Sequence, residues 1–232
     1  MRWIKKSRPP KLLRDWIAKA DQLTDFNYDY GLNSYPEAKK EVHDQLVVEQ
    51  YFLCAYSGVE ITSEKSHIEH LKPRNKCERG EDVDYLNLLA CFPVNGGDET
   101  HGFGAPFKKG WWDPANFVCP LDKNCERRFS YSWSGKMKPA ANADKPASET
   151  IKKLRLDSKG IVKYRLKAIK GFFGFVQGRE PISLEEAAQL LSVIDRPNKS
   201  GRLTPFCFVL KQLLVVYIDD KKKKQKPPRK KR

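Results

Sequence analysis

The sequence predicts an α+β protein that is mainly helical, with short strands in the middle of the chain and a helical region at its C-terminal end. The chain has 232 residues, of which 40% are hydrophobic, enough to bury the core of one large domain or two small ones. Apolar residues recur at helical spacing over 9–23, 36–51 and 148–177. Between 52 and 95, apolar pieces of strand length alternate with polar loops, which indicates a small β-structure between two helical regions.

Local signals support the individual elements. The first two predicted helices open with prolines, which a helix tolerates in its first turn. Alternation of aromatic and polar residues over 129–137 predicts a β-hairpin. Ser183 and Glu186 have the spacing of a capping box and predict the start of a helix, and Pro205–Ile218 is predicted as a last helix or strand.

These signals divide the chain into four parts: an N-terminal helical region (1–50), a central core with an insertion (51–142), a C-terminal helical region (143–220) and a basic tail (221–232). The formal net charge is +15, and the tail, with nine Lys or Arg and no acid, supplies +9 of it. A basic excess of this size favours a polyanionic partner such as nucleic acid. The tail itself is low in complexity and predicts a solvated extension.

Composition argues against several protein classes. The longest apolar stretch, near 206–218, is interrupted by Lys211 and Gln212 and is shorter than the roughly 18 residues of a membrane span. The basic N-terminal residues lack the apolar stretch of a signal peptide. Six cysteines without such a signal favour reduced thiols over a disulfide framework. We therefore expect a soluble cytoplasmic protein that does not associate with membranes.

The candidate chemistry lies in the central core. Glu69 and His70 end a short apolar strand before Pro73, which brings a carboxylate and an imidazole into one small volume. Asn87 opens the next apolar strand, where its amide could hold a histidine ring or a loop. Asn95 follows that strand and could give a carbonyl oxygen to a hard divalent cation. The alternative for the Glu-His pair is a surface glutamate beside a half-buried histidine.

In order and spacing, Glu69-His70-Leu71-Lys72-Pro73, Asn87-Leu88 and Asn95 resemble the signature of the HNH endonucleases. This resemblance implies a ββα-metal core within 51–142, in which a hairpin and a helix hold one cation. Further segments resemble the PtuB-like subfamily of the Septu and retron anti-phage systems. These segments are Arg2–Leu13, His101-Gly102, Lys108-Lys109-Gly110, the block from Pro120 to Lys136, Thr150–Leu156 and Arg165.

The resemblance implies specific partners and residue roles. His70 would be the general base on water, because the imidazole pKa lies near working pH. Glu69 and Asn95 would bind Mg²⁺ or Mn²⁺, and Asn87 would orient His70 or its loop. The partners would be a nucleic acid substrate (DNA or a structured RNA such as tRNA) and a PtuA-type ATPase, joined in retron systems by a reverse transcriptase and its msDNA. The protein would act in the bacterial cytoplasm.

Secondary candidates surround this core. His67 shares a strand face with Glu69 and is either a substrate contact or a solvated neighbour, and His101 follows a glycine-rich segment that could enter the site. Phe103, Trp111 and Trp112 either stack on unpaired bases or pack in the core. The basic residues predicted to contact phosphates are Lys72, Arg74, Lys108 and Lys109.

One departure from the HNH pattern concerns structural zinc. Many HNH proteins bind zinc with two Cys-x-x-Cys pairs, but Ser57 and Val94 replace the second cysteine of each pair here. Cys54 and Cys91 remain, and even with Cys77 the four ligands of a zinc site are incomplete. We therefore expect no structural zinc and expect Cys54 and Cys91 to pack as small buried residues. The loss also leaves open a second hypothesis, a non-catalytic nucleic-acid-binding or scaffold subunit on a degenerate HNH fold.

Overall fold

Helices supply most of the regular structure of the protein. A computed structural model describes residues 1–19, 22, 24–175 and 180–225, without the side chains of residues 224 and 225. Within these residues the fold is α+β, with seven helices and two small antiparallel sheets, as the sequence predicts. The helices are α1 (Lys11–Ile17), α2 (Pro36–Glu49), α3 (Ala105–Lys108), α4 (Lys145–Lys153), α5 (Lys159–Phe173), α6 (Leu184–Val193) and α7 (Cys207–Gln225). The strands are β1 (His67–His70), β2 (Leu88–Cys91), β3 (Phe129–Tyr131) and β4 (Met137–Pro139).

The N-terminal helices follow the predicted pattern with one shortening. α2 begins at Pro36 and buries one apolar stripe against the core, which confirms the predicted helix. α1 is shorter than the predicted 9–23, because Ala18 and Lys19 already form a turn. The rest of that prediction falls partly on residues 20, 21 and 23, which lie outside the described residues.

The sheet that carries the candidate site is the antiparallel pair β1–β2. In its register Glu69 lies opposite Leu89 and His70 opposite Leu88. Strand residues alternate between faces, so Ile68 and His70 are buried while His67 and Glu69 lie together on the other, half-buried face. Every residue of β2 is buried, so the hairpin is seated on the hydrophobic core.

Two strand predictions agree with the structure and one does not. The predicted strands at 68–71 and 86–91 correspond to β1 and β2. The predicted strand at 51–56 is reduced to a single bridge between Leu53 and Glu60. The reason is that Tyr51 and Phe52 have positive φ angles of 53° and 62°, which no extended strand accommodates.

Gln50 connects the end of α2 to β2. Its Nε2 donates to the backbone oxygens of Leu53 at 2.9 Å and Ala90 at 2.8 Å, and its Oε1 accepts from the backbone N–H of Ala90 at 2.8 Å. The side chain is buried. Gln50 therefore pairs with the outer edge of β2 as a neighbouring strand would, and it supplies the partner of the Ala90 backbone N–H.

The chain after β2 departs from the ββα arrangement that the motif resemblance implies. Residues 92–104, all of them described, form turns, and the next helix, α3, has only four residues. Glycine explains the absence of a longer helix, since Gly102 and Gly104 have positive φ angles of 78° and 88°. The hairpin of the predicted core is present, while an HNH fold as a whole stays a prediction.

The C-terminal half confirms the remaining local signals. β3 and β4 form the predicted hairpin, with Tyr131 opposite Met137. Ser183 and Glu186 form the predicted capping box of α6. The helical segment predicted at 148–177 divides into α4 and α5, because Arg155 has a positive φ of 47° between them. None of the helices in the described part of the chain is long and apolar enough to cross a membrane.

We predict that Gln50→Leu lowers the free energy of unfolding by about 3 kcal/mol, because the buried backbone N–H of Ala90 and the backbone oxygen of Leu53 lose their partner. Chemical denaturation followed by circular dichroism measures the change. The matched control is Gln189→Leu on the exposed side of α6, which should change stability by less than about 0.5 kcal/mol. Equal stability of the two variants would contradict the bridging role of Gln50.

Candidate functional site

One open pocket contains the Glu-His pair. Its volume is about 750 Å³, and its lining comes from six segments of the chain. β1 contributes His67, Glu69 and His70, and the loop 27–30 lines another part. Residues 73–75 and 108–110, together with Asp82, Gly96 and Gly97, complete the lining. A pocket of this size that holds two histidines and a carboxylate is a candidate active site.

A backbone carbonyl fixes the tautomer of the His70 ring. Its Nε2 lies 2.9 Å from the backbone oxygen of Asp82. A carbonyl oxygen only accepts, so Nε2 carries the proton and Nδ1 keeps its lone pair. The Tyr28 ring packs edge-on against the imidazole, with 4.6 Å between the ring centroids. Burial lowers the pKa of His70 below its usual value, so the ring is neutral at pH 7 and can accept a proton.

Glu69 lies between two nitrogen atoms. Its Oε1 is 3.1 Å from Nζ of Lys108, and its Oε2 is 3.7 Å from Nε2 of His67. Burial alone would raise the pKa of the Glu69 carboxyl, but His67 and Lys108 outweigh it and hold the pKa below its usual value. Glu69 is therefore an ionised carboxylate in a largely buried position.

His67 presents a buried nitrogen atom towards Glu69. Its Nδ1 lies 2.5 Å from the backbone oxygen of Pro93, so Nδ1 carries the proton. Its Nε2 is buried and has no hydrogen-bond partner among the described residues. The 3.7 Å to Oε2 of Glu69 is too long for a hydrogen bond. Burial lowers the pKa of His67, but the Glu69 carboxylate and the Pro93 carbonyl raise it more, so the net shift is upward.

The facing atoms of His67 and Glu69 fit a divalent cation. An imidazole nitrogen and a carboxylate oxygen are both ligands of Mn²⁺, and carboxylates are preferred by Mg²⁺. Within the described residues, no group of three or more His, Cys, Asp or Glu side chains could hold a metal ion. A cation here would therefore have two side-chain ligands, with waters and phosphate oxygens in its other positions, as is common for Mg²⁺.

The structure does not bring Asn95 to this pair. The Asn95 side chain is exposed, and its Oδ1 accepts from the backbone N–H of Gly97 at 2.9 Å. It closes a tight turn, and its neighbours Gly96 and Gly97 line the pocket in its place. The two side chains that meet as candidate ligands are Glu69 and His67, rather than Glu69 and Asn95.

Asn87 organises the loop beside the site without touching the His70 ring. Its Oδ1 accepts from the backbone N–H of Lys72 at 2.7 Å, and its Nδ2 donates to the backbone oxygens of Lys72 at 3.1 Å and Glu81 at 3.0 Å. The residue after Glu81 is Asp82, whose backbone oxygen holds His70. Asn87 thus acts on His70 through the loop, which is one of the two roles expected for it.

The four basic residues predicted to contact phosphates all have acidic partners. Lys108 is the most buried, at 2% exposure, and its Nζ also donates to the backbone oxygen of His70 at 2.7 Å. It therefore belongs to the interior of the site rather than to its surface. The ion pairs are Lys72–Glu81, Arg74–Asp29, Lys108–Glu69 and Lys109–Glu99.

The other secondary candidates lie outside the pocket. His101 packs against Phe92, with 4.5 Å between ring centroids, and does not line the pocket. Phe103 is buried, at 1% exposure, so it is unavailable to a nucleobase. Trp111 and Trp112 pack against Phe117, which supports the core alternative for these aromatic residues.

The cysteines occupy the positions expected of small core residues. Cys54 and Cys91 are both buried, and the Cys54 sulfur accepts from the backbone N–H of Phe92 at 3.3 Å. The half-buried Cys77 lies in the loop that Asn87 holds, with its Sγ 3.5 Å from Nδ2 of that residue.

The wall formed by residues 27–30 belongs to the connector between α1 and α2, in which no sequence motif indicates a functional role. The backbone N–H of Tyr28 donates to the Asp82 carboxylate at 2.7 Å, and this bond fixes the loop against the site. Tyr30, at the pocket, is 74% exposed. The alternating aromatic residues of this connector were the available signal, because aromatic residues in a solvated linker need a surface to cover.

Comparisons with known proteins leave the family open. No protein-family model matches the chain, and a search of curated proteins found no similar sequence. The resemblance to HNH endonucleases therefore rests on the sequence motifs.

We predict strong coupling between Lys108 and Glu69 in a double-mutant cycle. Lys108→Met alone should lower the free energy of unfolding by about 3–5 kcal/mol, because it leaves a buried carboxylate unpaired. Adding Glu69→Gln should recover part of that loss. Urea denaturation in EDTA measures the cycle.

The matched control for this cycle is the exposed pair Lys40–Asp44, changed to Met and Asn. Its coupling should be much smaller, because water screens both charges. Additive effects of the two changes at Glu69 and Lys108 would show that their contact is not formed in solution.

Proposed function

We propose that the protein is a divalent-cation-dependent endonuclease of the HNH type, which hydrolyses phosphodiester bonds of nucleic acid. The observation that supports this best is the pairing, in one pocket, of a neutral histidine with a free Nδ1 and a carboxylate that faces a second histidine nitrogen. Hydrolysis of a phosphodiester needs an activated water and positive charge near the phosphate, and these groups fit both needs.

His70 is the proposed general base. Its Nδ1 would take a proton from the attacking water as the bond to phosphorus forms. The backbone oxygen of Asp82, on Nε2, would then stabilise the imidazolium and keep the ring oriented. The Tyr28 ring and the backbone contact of Lys108 at the His70 oxygen hold the residue from two further sides.

His67 and Glu69 are the proposed ligands of a Mg²⁺ or Mn²⁺ ion. Such an ion, when bound, supplies positive charge that polarises a phosphoryl oxygen and favours departure of the leaving oxygen. Lys108 contacts Oε1 of Glu69 and leaves Oε2 directed towards His67. The Pro93 oxygen fixes the tautomer of His67 so that Nε2 can donate its lone pair.

The biological setting of this proposal comes from the motif resemblance alone. In that setting the protein would be the effector of a bacterial anti-phage complex in the cytoplasm. A PtuA-type ATPase would be its partner, and in retron systems a reverse transcriptase with its msDNA would hold it inactive. The target would be DNA or a structured RNA such as tRNA.

A second candidate is a nucleic-acid-binding subunit without catalytic activity. The observation that favours it is the small number of ligands, since the described residues hold no cluster of three metal-binding side chains. Such a subunit would bind nucleic acid equally well in EDTA and in Mg²⁺, and would leave it intact.

We predict that His70→Ala abolishes cleavage that depends on Mg²⁺ or Mn²⁺, because no other described residue supplies a neutral nitrogen at that position. Incubation of the protein with its native partners, with labelled DNA and tRNA, and sequencing of the new ends measures this. Activity should fall at acidic pH, because protonation removes the lone pair of the His70 base and that of the proposed ligand His67, whose pKa lies above its usual value.

His101→Gln is the matched control for the loss of a histidine, since His101 lies outside the pocket and should be dispensable for cleavage. A wild-type cleavage rate in the His70→Ala variant would contradict the assignment of His70 as the general base. Binding without cleavage in every condition, unaffected by EDTA, would favour the second candidate.

A further inference from the structure

The solvent-facing side of α4 and α5 carries a dense set of cations. α5 has no acidic residue along its whole length, and its exposed lysines recur at spacings of three and four residues. Residues at such spacings share one face of a helix. We call this surface the basic face, and it consists of Lys152, Lys153, Arg155, Lys159, Lys163, Lys167 and Lys170, all of them exposed.

The cations of the basic face have no ion-pair partners among the described residues. The nearest acid in sequence, Asp157, uses its Oδ1 to accept from the backbone N–H of Met137 at 2.7 Å. The contrast with the pocket is direct, since Lys72, Arg74 and Lys109 there are each neutralised by a carboxylate. Among the described residues, the seven cations of the basic face are therefore unpaired, whereas Lys72, Arg74, Lys108 and Lys109 near the Glu-His pair each contact a carboxylate.

Two cations of the basic face lie next to a segment that lines the pocket. The Arg155 guanidinium lies over the Phe107 ring at 4.1 Å, and the Lys153 ammonium lies 6.0 Å from the Trp111 ring centroid. Phe107 and Trp111 flank the segment 108–110, which lines the pocket. An extended ligand that leaves the pocket along this segment would therefore pass Arg155 and Lys153.

We propose that the basic face binds the phosphate backbone of the nucleic acid whose scissile bond lies in the pocket, an inference that rests on the proposed nuclease function. Lys159, Lys163 and Lys167 are spaced by about 6 Å along the helix axis, and Lys170 extends the row to about 16 Å. Duplex DNA carries one phosphate charge per roughly 1.7 Å of its axis, so the row faces several phosphates at once.

The chemistry of this face indicates binding that does not depend on sequence. Six of its seven cations are lysines, which contact phosphates as flexible point charges. Phosphate contacts of this kind fix the position of a nucleic acid without reading its bases. The basic face would thus determine how long a bound nucleic acid must be and which path it follows on the protein, while hydrolysis would take place in the pocket.

The experiment measures binding of the full chain to a fluorescein-labelled 30-base-pair DNA duplex in EDTA, over a range of salt concentrations. We expect Lys159→Gln/Lys163→Gln/Lys167→Gln to weaken binding and to reduce the slope of log K against log salt by about 2.7, because each phosphate that a lysine neutralises adds roughly 0.9 to that slope. The control Lys5→Gln/Lys123→Gln/Lys199→Gln removes the same charge from exposed lysines elsewhere. It should reduce the slope by less than about 1.

Equal slopes for the two triple variants would overturn the proposal, because the effect would then be one of net charge. The proposal would also be overturned if the Lys159→Gln/Lys163→Gln/Lys167→Gln variant keeps the wild-type unfolding temperature and shows an unchanged salt slope. If the triple variant of α5 loses binding to polyglutamate but binds DNA as tightly as the wild type does, the basic face binds an acidic protein instead.

EDTA prevents cleavage, so binding is measured apart from activity. DNA binding through this face, combined with no cleavage of DNA or tRNA in Mg²⁺ when the native partners are present, would refute the proposed function and leave the phosphate-binding role of the face standing.

Discussion

A buried contact between the Lys108 ammonium and the Glu69 carboxylate holds the candidate site together. It connects α3 to β1 across segments that are far apart in sequence, and the same Nζ donates to the backbone oxygen of His70. Because burial of either charge alone would be costly, α3 has to stay beside the hairpin. The arrangement also occupies one oxygen of Glu69 and directs the other towards His67, so one ion pair fixes both the fold of the site and the geometry available to a cation.

The remaining support of the site comes from backbone carbonyls. The oxygen of Asp82 fixes the tautomer of His70, and that of Pro93 fixes the tautomer of His67. Both carbonyls lie in irregular segments. Asn87 binds the backbone of Glu81, next to Asp82, and Gln50 binds β2, the strand that precedes Pro93. The two histidines consequently differ in role, since one offers a free nitrogen to water and the other faces a carboxylate.

Many of the helices and strands could be predicted from the sequence, and the reason for success or failure differs from one element to the next. Local signals sufficed where the structure is local, as in α2, the β3–β4 hairpin and the capping box of α6. The strand expected at 51–56 was wrong because two residues with positive φ interrupt it, and neither is a glycine. In the site, the motif identified Glu69, His70 and Asn87, but the pairing of His67 with Glu69 depends on the register of β1. The roles of Lys108 and Tyr28 depend on contacts over long sequence distances, which no spacing reveals.

The proposed cation beside His70, held by His67 and Glu69, can be observed directly in an anomalous difference map from crystals of the protein grown with Mn²⁺. We expect a manganese peak bonded to Nε2 of His67 and Oε2 of Glu69, with the Lys108 ammonium still on Oε1. A map with manganese bound at other residues and none at this pair would contradict it.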